Sequence, residues 1–292
     1  MAVATSELVK TYSQRKREVR AVDGLDLQIR HGEVFGLLGP NGAGKSTTVE
    51  ILEGYRDRTS GDVSVLGEDP QRAGTGWRSK IGIVLQQTRD LADLSVRESL
   101  ESFAAFYRNP RPVSEVLELV GLAERADVHG SALSGGLRRR LDVGLGIIGR
   151  PELLFLDEPT TGFDPDARRQ FWALIEQLNA EGTTILLTSH YLDEVEALAH
   201  RVGVIAGGRL LEVNTPDRLG GRGEADAIVS YRDADGQLQR RHTDTPGETV
   251  AALFATHGEP IDLTVHRPTL EDVYLQMIGA ADDSRDEETA DV

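Results

Sequence analysis

The chain has no cysteine among its 292 residues. That excludes a disulfide framework and a thiolate metal site, and it suits a reducing compartment. Positive charge is in deficit: 48 Asp and Glu stand against 32 Lys and Arg, a formal net charge of −16. Such a balance argues against a broad nucleic-acid-binding surface, although it leaves room for a local basic patch. No apolar run approaches the ~20 residues needed to cross a bilayer. The opening "MAVATSELVKTYSQRKREVR" lacks the apolar centre of a signal peptide. The expectation is a cytoplasmic protein whose membrane role, if it has one, needs a partner. Hydrophobic residues make up 39% of the chain, enough for a sizeable core.

Lysine is also scarce, because arginine supplies most of the basic residues, so the lysine in "GPNGAGKSTT" stands out. "EVFGLLG" before it reads as a short buried strand, and "STTVEILEGY" after it reads as a helix start. Gly39, Gly44, Lys45 and Ser46 satisfy G-x-x-x-x-G-K-[ST] in that strand–turn–helix setting. Glycines let backbone N–H groups converge on phosphate oxygens with no Cβ in the way. The helix that follows offers unpaired N–H groups and its positive end. Lys45 can reach β- and γ-phosphates, and the Ser46 hydroxyl can ligand Mg²⁺. Residues Gly39, Pro40, Asn41, Gly42, Ala43, Gly44, Lys45, Ser46 and Thr47 are therefore the expected nucleotide-binding loop.

Far downstream, "PELLFLDEPTTGFDPDAR" holds a four-residue apolar run fit for a central parallel strand. It ends in Asp157 and Glu158, at the strand edge where open α/β sheets place ligands. One carboxylate can hold a metal shell; the other can orient or deprotonate a water. Asp164 reads as a helix N-cap with Pro165 at the first position, followed by a buried stripe of Phe171, Leu174, Ile175 and Leu178. "ALSGGLRRRLDVGLGII" precedes that strand; Ser134 suits an N-cap, and Leu137, Leu141, Leu145 and Ile148 have helical spacing.

Phosphate loop, "LSGG", "LLFLDEP" and then "TSH" at 188–190, in that order, resemble the ATP-binding subunit of an ATP-binding cassette (ABC) transporter over about residues 7 to 220. The resemblance implies an α/β fold: a P-loop NTPase cassette with a mixed sheet core and a helical subdomain at about 88–150. It implies ATP and Mg²⁺ as ligands. Tyr12 would stack on adenine, although a packed strand-end tyrosine would look the same. Gln86, favoured over Gln87, would link metal and γ-phosphate to a membrane partner. Asp157, with Ser46 and Gln86, would support Mg²⁺; Glu158 would be the general base. His190 would contact the γ-phosphate and align the water. Leu133, Ser134, Gly135 and Gly136 would complete the ATP site of a second cassette, and Asp164 would lie in the loop that crosses to it. One phosphate loop and one "LSGG" thus call for a partner cassette, a homodimer in the simplest case. The family often has Gln after "LSGG", whereas this chain has Leu137 followed by Arg138, Arg139 and Arg140.

Beyond residue 220 the composition shifts, after "VGVIAGGRLLEVNTP", which reads as a hairpin turning at Gly207 and Gly208. Residues 221–280 read as a small α+β extension: two strands joined at Asp235–Gly236, a helix, a strand and a closing helix. Its ending "RPTLEDVYLQMIG" resembles the tail of drug- and antibiotic-exporter cassettes of the ABC-2 type. The acidic, apolar-poor residues 281–292 read as disordered. The resemblance implies an ATPase, peripheral on the inner face of the plasma membrane, that drives a separate integral membrane permease and exports a drug, antibiotic or other hydrophobic compound. The alternative is a cassette ATPase acting on ribosomes or DNA repair, whose members typically carry two cassettes in one chain or a long coiled-coil insertion.

Overall fold

The computed structural model describes residues 1–14, 17–84, 93–233 and 235–290. From the N-terminus run β1 (Val3–Gln14), β2 (Arg17–Leu25), β3 (Gln28–Ile29), β4 (Val34–Leu38), α1 (Lys45–Leu52), β5 (Ser60–Val65), α2 (Thr75–Arg78) and β6 (Ile81–Val84). The helices α3 (Val96–Ala104), α4 (Val113–Leu119) and α5 (Gly135–Ile147) come next. Then follow β7 (Leu153–Asp157), α6 (Pro165–Ala180), β8 (Thr184–Thr188), α7 (Leu192–Leu198), β9 (Arg201–Ala206) and β10 (Arg209–Asn214). The remainder holds β11 (Ala227–Arg232), β12 (Leu238–Thr243), α8 (Pro246–His257), β13 (Ile261–His266) and α9 (Leu270–Ala290). The chain divides into two compact units, Met1–Val213 and Asn214–Val292.

In the first unit, a six-stranded sheet has the order β10-β9-β4-β8-β7-β6, with β9, β4, β8, β7 and β6 parallel. The short apolar runs of the sequence become these inner strands because both faces are covered. Successive residues of β7 illustrate it. Leu153 and Phe155 pack with β1, β4 and Trp77 on one side, while Leu154 and Leu156 pack with α3, α4 and α5 on the other. A second, antiparallel sheet (β2-β1-β3, with β5 also on β1) closes the first face. The strand order reverses at β4, which has β8 on one side and β9 on the other, and the C-terminal end of such a strand is where open α/β sheets place ligands.

Local chemistry fixes the helix starts. Ser95 and Glu98 form a reciprocal capping box at α3. Asp164 caps α6 by accepting from Ala167 N at 2.8 Å, and Phe171, Leu174, Ile175 and Leu178 are its buried stripe. The expected helix-spaced residues of α5 point inward, with Leu141, Leu145 and Ile148 buried and Leu137 partly so. The β9–β10 turn is formed by Gly207 and Gly208, both at positive φ.

The second unit pairs β12-β11-β13, with Leu253 of α8 packed on Val229 and Tyr231. The units divide at 213/214, ahead of the boundary near 220 read from composition. Leu219 is buried, and the missing Cβ of Gly220 (φ 57) lets Val273 of α9 pack there, so the glycine-rich stretch belongs to the second unit. Helix α9 runs to Ala290, into the acidic residues for which the composition suggests disorder. Alanine, glutamate and arginine in that stretch are adequate helix formers, so low apolarity does not forbid a helix there.

Candidate active site

The phosphate loop leaves the buried strand β4 and enters α1 through Gly44, which has φ 103 and ψ 1. A Cβ at Gly44 would lie 2.2 Å from Ala21 O, and one at Gly39 would lie 2.3 Å from Ile205 O. The fold therefore demands both glycines before any ligand is considered. The first turn of α1 has no side-chain cap and no acidic residue, so its N–H groups are left for an anion. Lys45 Nζ lies back on its own loop, donating to Gly39 O at 2.5 Å and Pro40 O at 3.1 Å. Burial pulls its ammonium below the usual lysine range, while Glu158 and Asp157 push it back up. Asn41, Gly42 and Ser46 are exposed, Thr47 and Pro40 half-buried, and Ala43 buried.

Those two carboxylates sit at the end of β7. Asp157 pairs in register with Thr188 of β8, and Thr188 Oγ1 donates to Asp157 Oδ1 at 2.5 Å. Glu158 has φ 46, a left-handed conformation that costs a non-glycine residue about 1–3 kcal/mol. Its N–H donates to Thr188 O at 3.1 Å and meets Thr188 Oγ1 at 3.3 Å. His190 Nδ1 lies 3.4 Å from Glu158 Oε2, and the histidine side chain is 50% exposed. Lys45, Asp157, Glu158 and His190, far apart in sequence, thus gather at the C-terminal edge of the parallel sheet.

Several residues that sequence reasoning passed over hold this arrangement. Thr188 is buried and ties β8 to both carboxylate positions. Ser189 Oγ donates to the fully buried Glu194 at 2.6 Å, and burial pushes that carboxyl up. Arg139, 6% exposed, reaches the backbone of the β7 loop. Only the arginine run after "LSGG" hinted at it. Tyr12 is partly buried on β1, with Lys10 Nζ 5.2 Å and Arg56 5.3 Å from its ring centroid. Gln86 and its neighbour Gln87 lie outside the described residues.

The "LSGG" segment stands at the start of α5. Leu133 is buried, and Ser134 caps the helix with a long contact, 3.4 Å from Leu137 N. Gly135 and Gly136 show ordinary negative φ. A Cβ at Gly135 would meet nothing within 4 Å, and one at Gly136 only Phe163 at 3.9 Å. Among the described residues, nothing requires these two glycines, in contrast to Gly39 and Gly44. Among the described residues, no hydrogen bond or ion pair joins Leu133–Gly136 to the phosphate loop.

Residues 22–161 match the ABC transporter family. The chain is 39% identical over 280 residues to Nod factor export ATP-binding protein I of Cupriavidus pinatubonensis, covering 88% of this chain and 86% of that protein. It is 35% identical over 322 residues to the daunorubicin/doxorubicin resistance ATP-binding protein DrrA of Streptomyces peucetius, covering 99% and 96%. Among solved structures, the ATP-binding cassette MJ0796, dimeric in a post-hydrolysis state with ADP and Pi, superimposes with a TM-score of 0.68 at 24% identity. That match spans 73% of this chain and 98% of the cassette, and it speaks for the fold. A nucleotide-phosphate loop, a paired-carboxylate strand end and relatives matched over nearly their whole length converge: the chain belongs to the ABC transporter family, as an ATPase cassette.

Proposed function

We propose that this ATPase powers a separate integral membrane permease that exports a drug-like or otherwise hydrophobic compound, with the cassette held at the cytoplasmic face of the plasma membrane. The gathering of Lys45, Asp157, Glu158 and His190 around one sheet edge carries the catalytic part of this reading. The export part is supported by the names of the relatives, which are export and resistance proteins. Among the described residues, no helix is long and apolar enough to cross a membrane, so a partner would supply the spans.

The triphosphate lies on the backbone of Gly39–Thr47, and Lys45 turns from its own carbonyls to the β- and γ-phosphates. Tyr12 offers its ring to adenine. The residues fit Mg²⁺: Ser46 and Asp157 are hard oxygen donors, and Gln86 would join them. Among the described residues no cluster of three or more His, Cys, Asp or Glu could cage an ion by itself, which matches an ion that keeps waters and phosphate oxygens. Held by those residues, the ion would supply charge neutralisation for the phosphoryl group. Glu158 takes the proton of the attacking water, and His190 fixes the rotamer of that carboxylate while its other ring nitrogen faces the terminal phosphate.

Ser134, Gly135 and Gly136 act on the nucleotide of a second cassette. The open space over both glycines suits approach of a phosphate from outside the chain. Asp164 lies in the loop facing that partner. ATP closes the pair and hydrolysis releases it, because the nucleotide binds the closed form better. The test is Glu158→Gln in the full chain. ATP turnover should fall at least ~100-fold while Mg-ATP still binds and drives dimerisation. Turnover at the wild-type rate would overturn the assignment.

A further inference from the structure

Arg139 is the fifth residue of α5, the helix that the "LSGG" segment opens, and it is buried. Its Nη2 donates to the backbone oxygen of Asp157 at 2.5 Å, and its Nε donates to that of Pro159 at 3.0 Å. These two carbonyls bracket Glu158, the residue held at φ 46. The guanidinium is a rigid planar fork with donors at fixed angles. A fork gripping the carbonyls on both sides of one residue restrains the dihedrals between them, and with them the direction of the intervening side chain. Asp142, Asp157, Glu158 and Glu194 surround the cation and offset its charge.

A core position filled for volume alone would favour an apolar residue, since burying a cation carries a desolvation cost. The two carbonyl contacts give the arginine a role that volume alone does not supply. We propose that Arg139 is a positioning residue for hydrolysis: by clamping the carbonyls of Asp157 and Pro159 it maintains the left-handed turn that aims the Glu158 carboxylate. The inference rests on the reading of Glu158 as the base. Helix α5 then joins, within one rigid element, the Ser134–Gly136 segment offered to the partner's nucleotide and the base of its own site.

The test compares Arg139→Met, which keeps length and loses all donors, with Arg139→Lys, which keeps a charge and a donor. Steady-state ATP turnover is measured on the full chain over a range of Mg-ATP, beside thermal melts and Glu158→Gln. R139M should lower kcat roughly 10- to 100-fold, as misplacement of a reacting group does, with KM changed less than about threefold. R139K should recover part of kcat although it melts lower than R139M, since a buried lysine is costlier than a methionine. Activity and stability then run in opposite order, which a packing role does not produce. A kcat for R139M within about twofold of wild type, a KM rise at unchanged kcat, or R139K as the poorer enzyme would each overturn the inference. If R139M does not fold, Arg139→Gln, with a single amide donor group, takes its place in the comparison. Loss of turnover in E158Q with full turnover in R139M would sink this inference alone; full turnover in E158Q would sink the base reading beneath it.

Discussion

Thr188 faces Asp157 across the β7–β8 pair, and its hydroxyl serves both acidic positions, donating to Asp157 Oδ1 at 2.5 Å and lying 3.3 Å from the Glu158 N–H. A parallel register between strands whose two side chains lie 31 positions apart in sequence thus sets where the expected metal-binding carboxylate points.

Replacing Thr188 by Val keeps the branched shape and removes that hydroxyl. Asp157 then loses a donor at a part-buried site, which costs about 1 kcal/mol of stability. The expected functional outcome is a rise in the Mg²⁺ concentration needed for half-maximal ATP turnover, with a roughly tenfold loss at fixed low Mg²⁺. Magnesium titrations of ATPase activity, run beside denaturant melts, check both. An unchanged magnesium dependence would show that the Thr188–Asp157 bond does not tune the site.

The two glycine pairs should respond oppositely to alanine. Gly44→Ala places a Cβ 2.2 Å from Ala21 O at φ 103 and should destabilise by at least about 1–3 kcal/mol, with loss of nucleotide binding. Gly135→Ala meets open space at an ordinary helical φ. It should melt at or above the wild-type temperature, by up to about 1 kcal/mol. It should nevertheless lose ATP-driven dimerisation, read by light scattering in the E158Q background. Dimerisation of G135A,E158Q as strong as that of E158Q would remove the case for a cross-subunit role of this segment.

Glu53, at the end of α1 and 8% exposed, has its carboxyl pushed up to about 8 by burial first, and then by Asp157 and Glu50. The folded state therefore holds a proton that the unfolded chain, near its ordinary value of 4.5, gives up. Stability contributed by the neutral carboxyl is complete at low pH and is lost as pH rises from about 4.5 through about 8. Glu53→Gln removes this proton linkage. The variant should gain on the order of a few kcal/mol over wild type at about pH 8, and the difference should shrink toward pH 5. Denaturant melts at several pH values report it; a difference independent of pH would show that Glu53 ionises normally in the folded chain.

Much of this molecule is legible along the chain. The glycine–lysine loop, the apolar run ending in Asp157 and Glu158, and the Asp164–Pro165 helix start are local signals, because each needs only its near neighbours in sequence to define its geometry. The structure places Lys45, Asp157, Glu158 and His190 together as the motif order suggests. The boundary of the first unit was less legible. Composition marks the glycines near 220, but Gly220 is a packing position against Val273 rather than a linker.

Sequence by itself determined the chemical inventory and the family: phosphate loop, paired carboxylates, histidine and signature segment, each specified by covalent spacing. Tertiary structure alone decided how those groups are aimed. The left-handed backbone at Glu158, the hydroxyl of Thr188 on Asp157, the fork of Arg139 and the buried carboxyl of Glu53 all depend on which strands and helices lie side by side. Contacts of that kind join main-chain atoms and side chains from distant segments. No residue type or interval along the chain encodes a hydrogen bond to a carbonyl that any residue could supply.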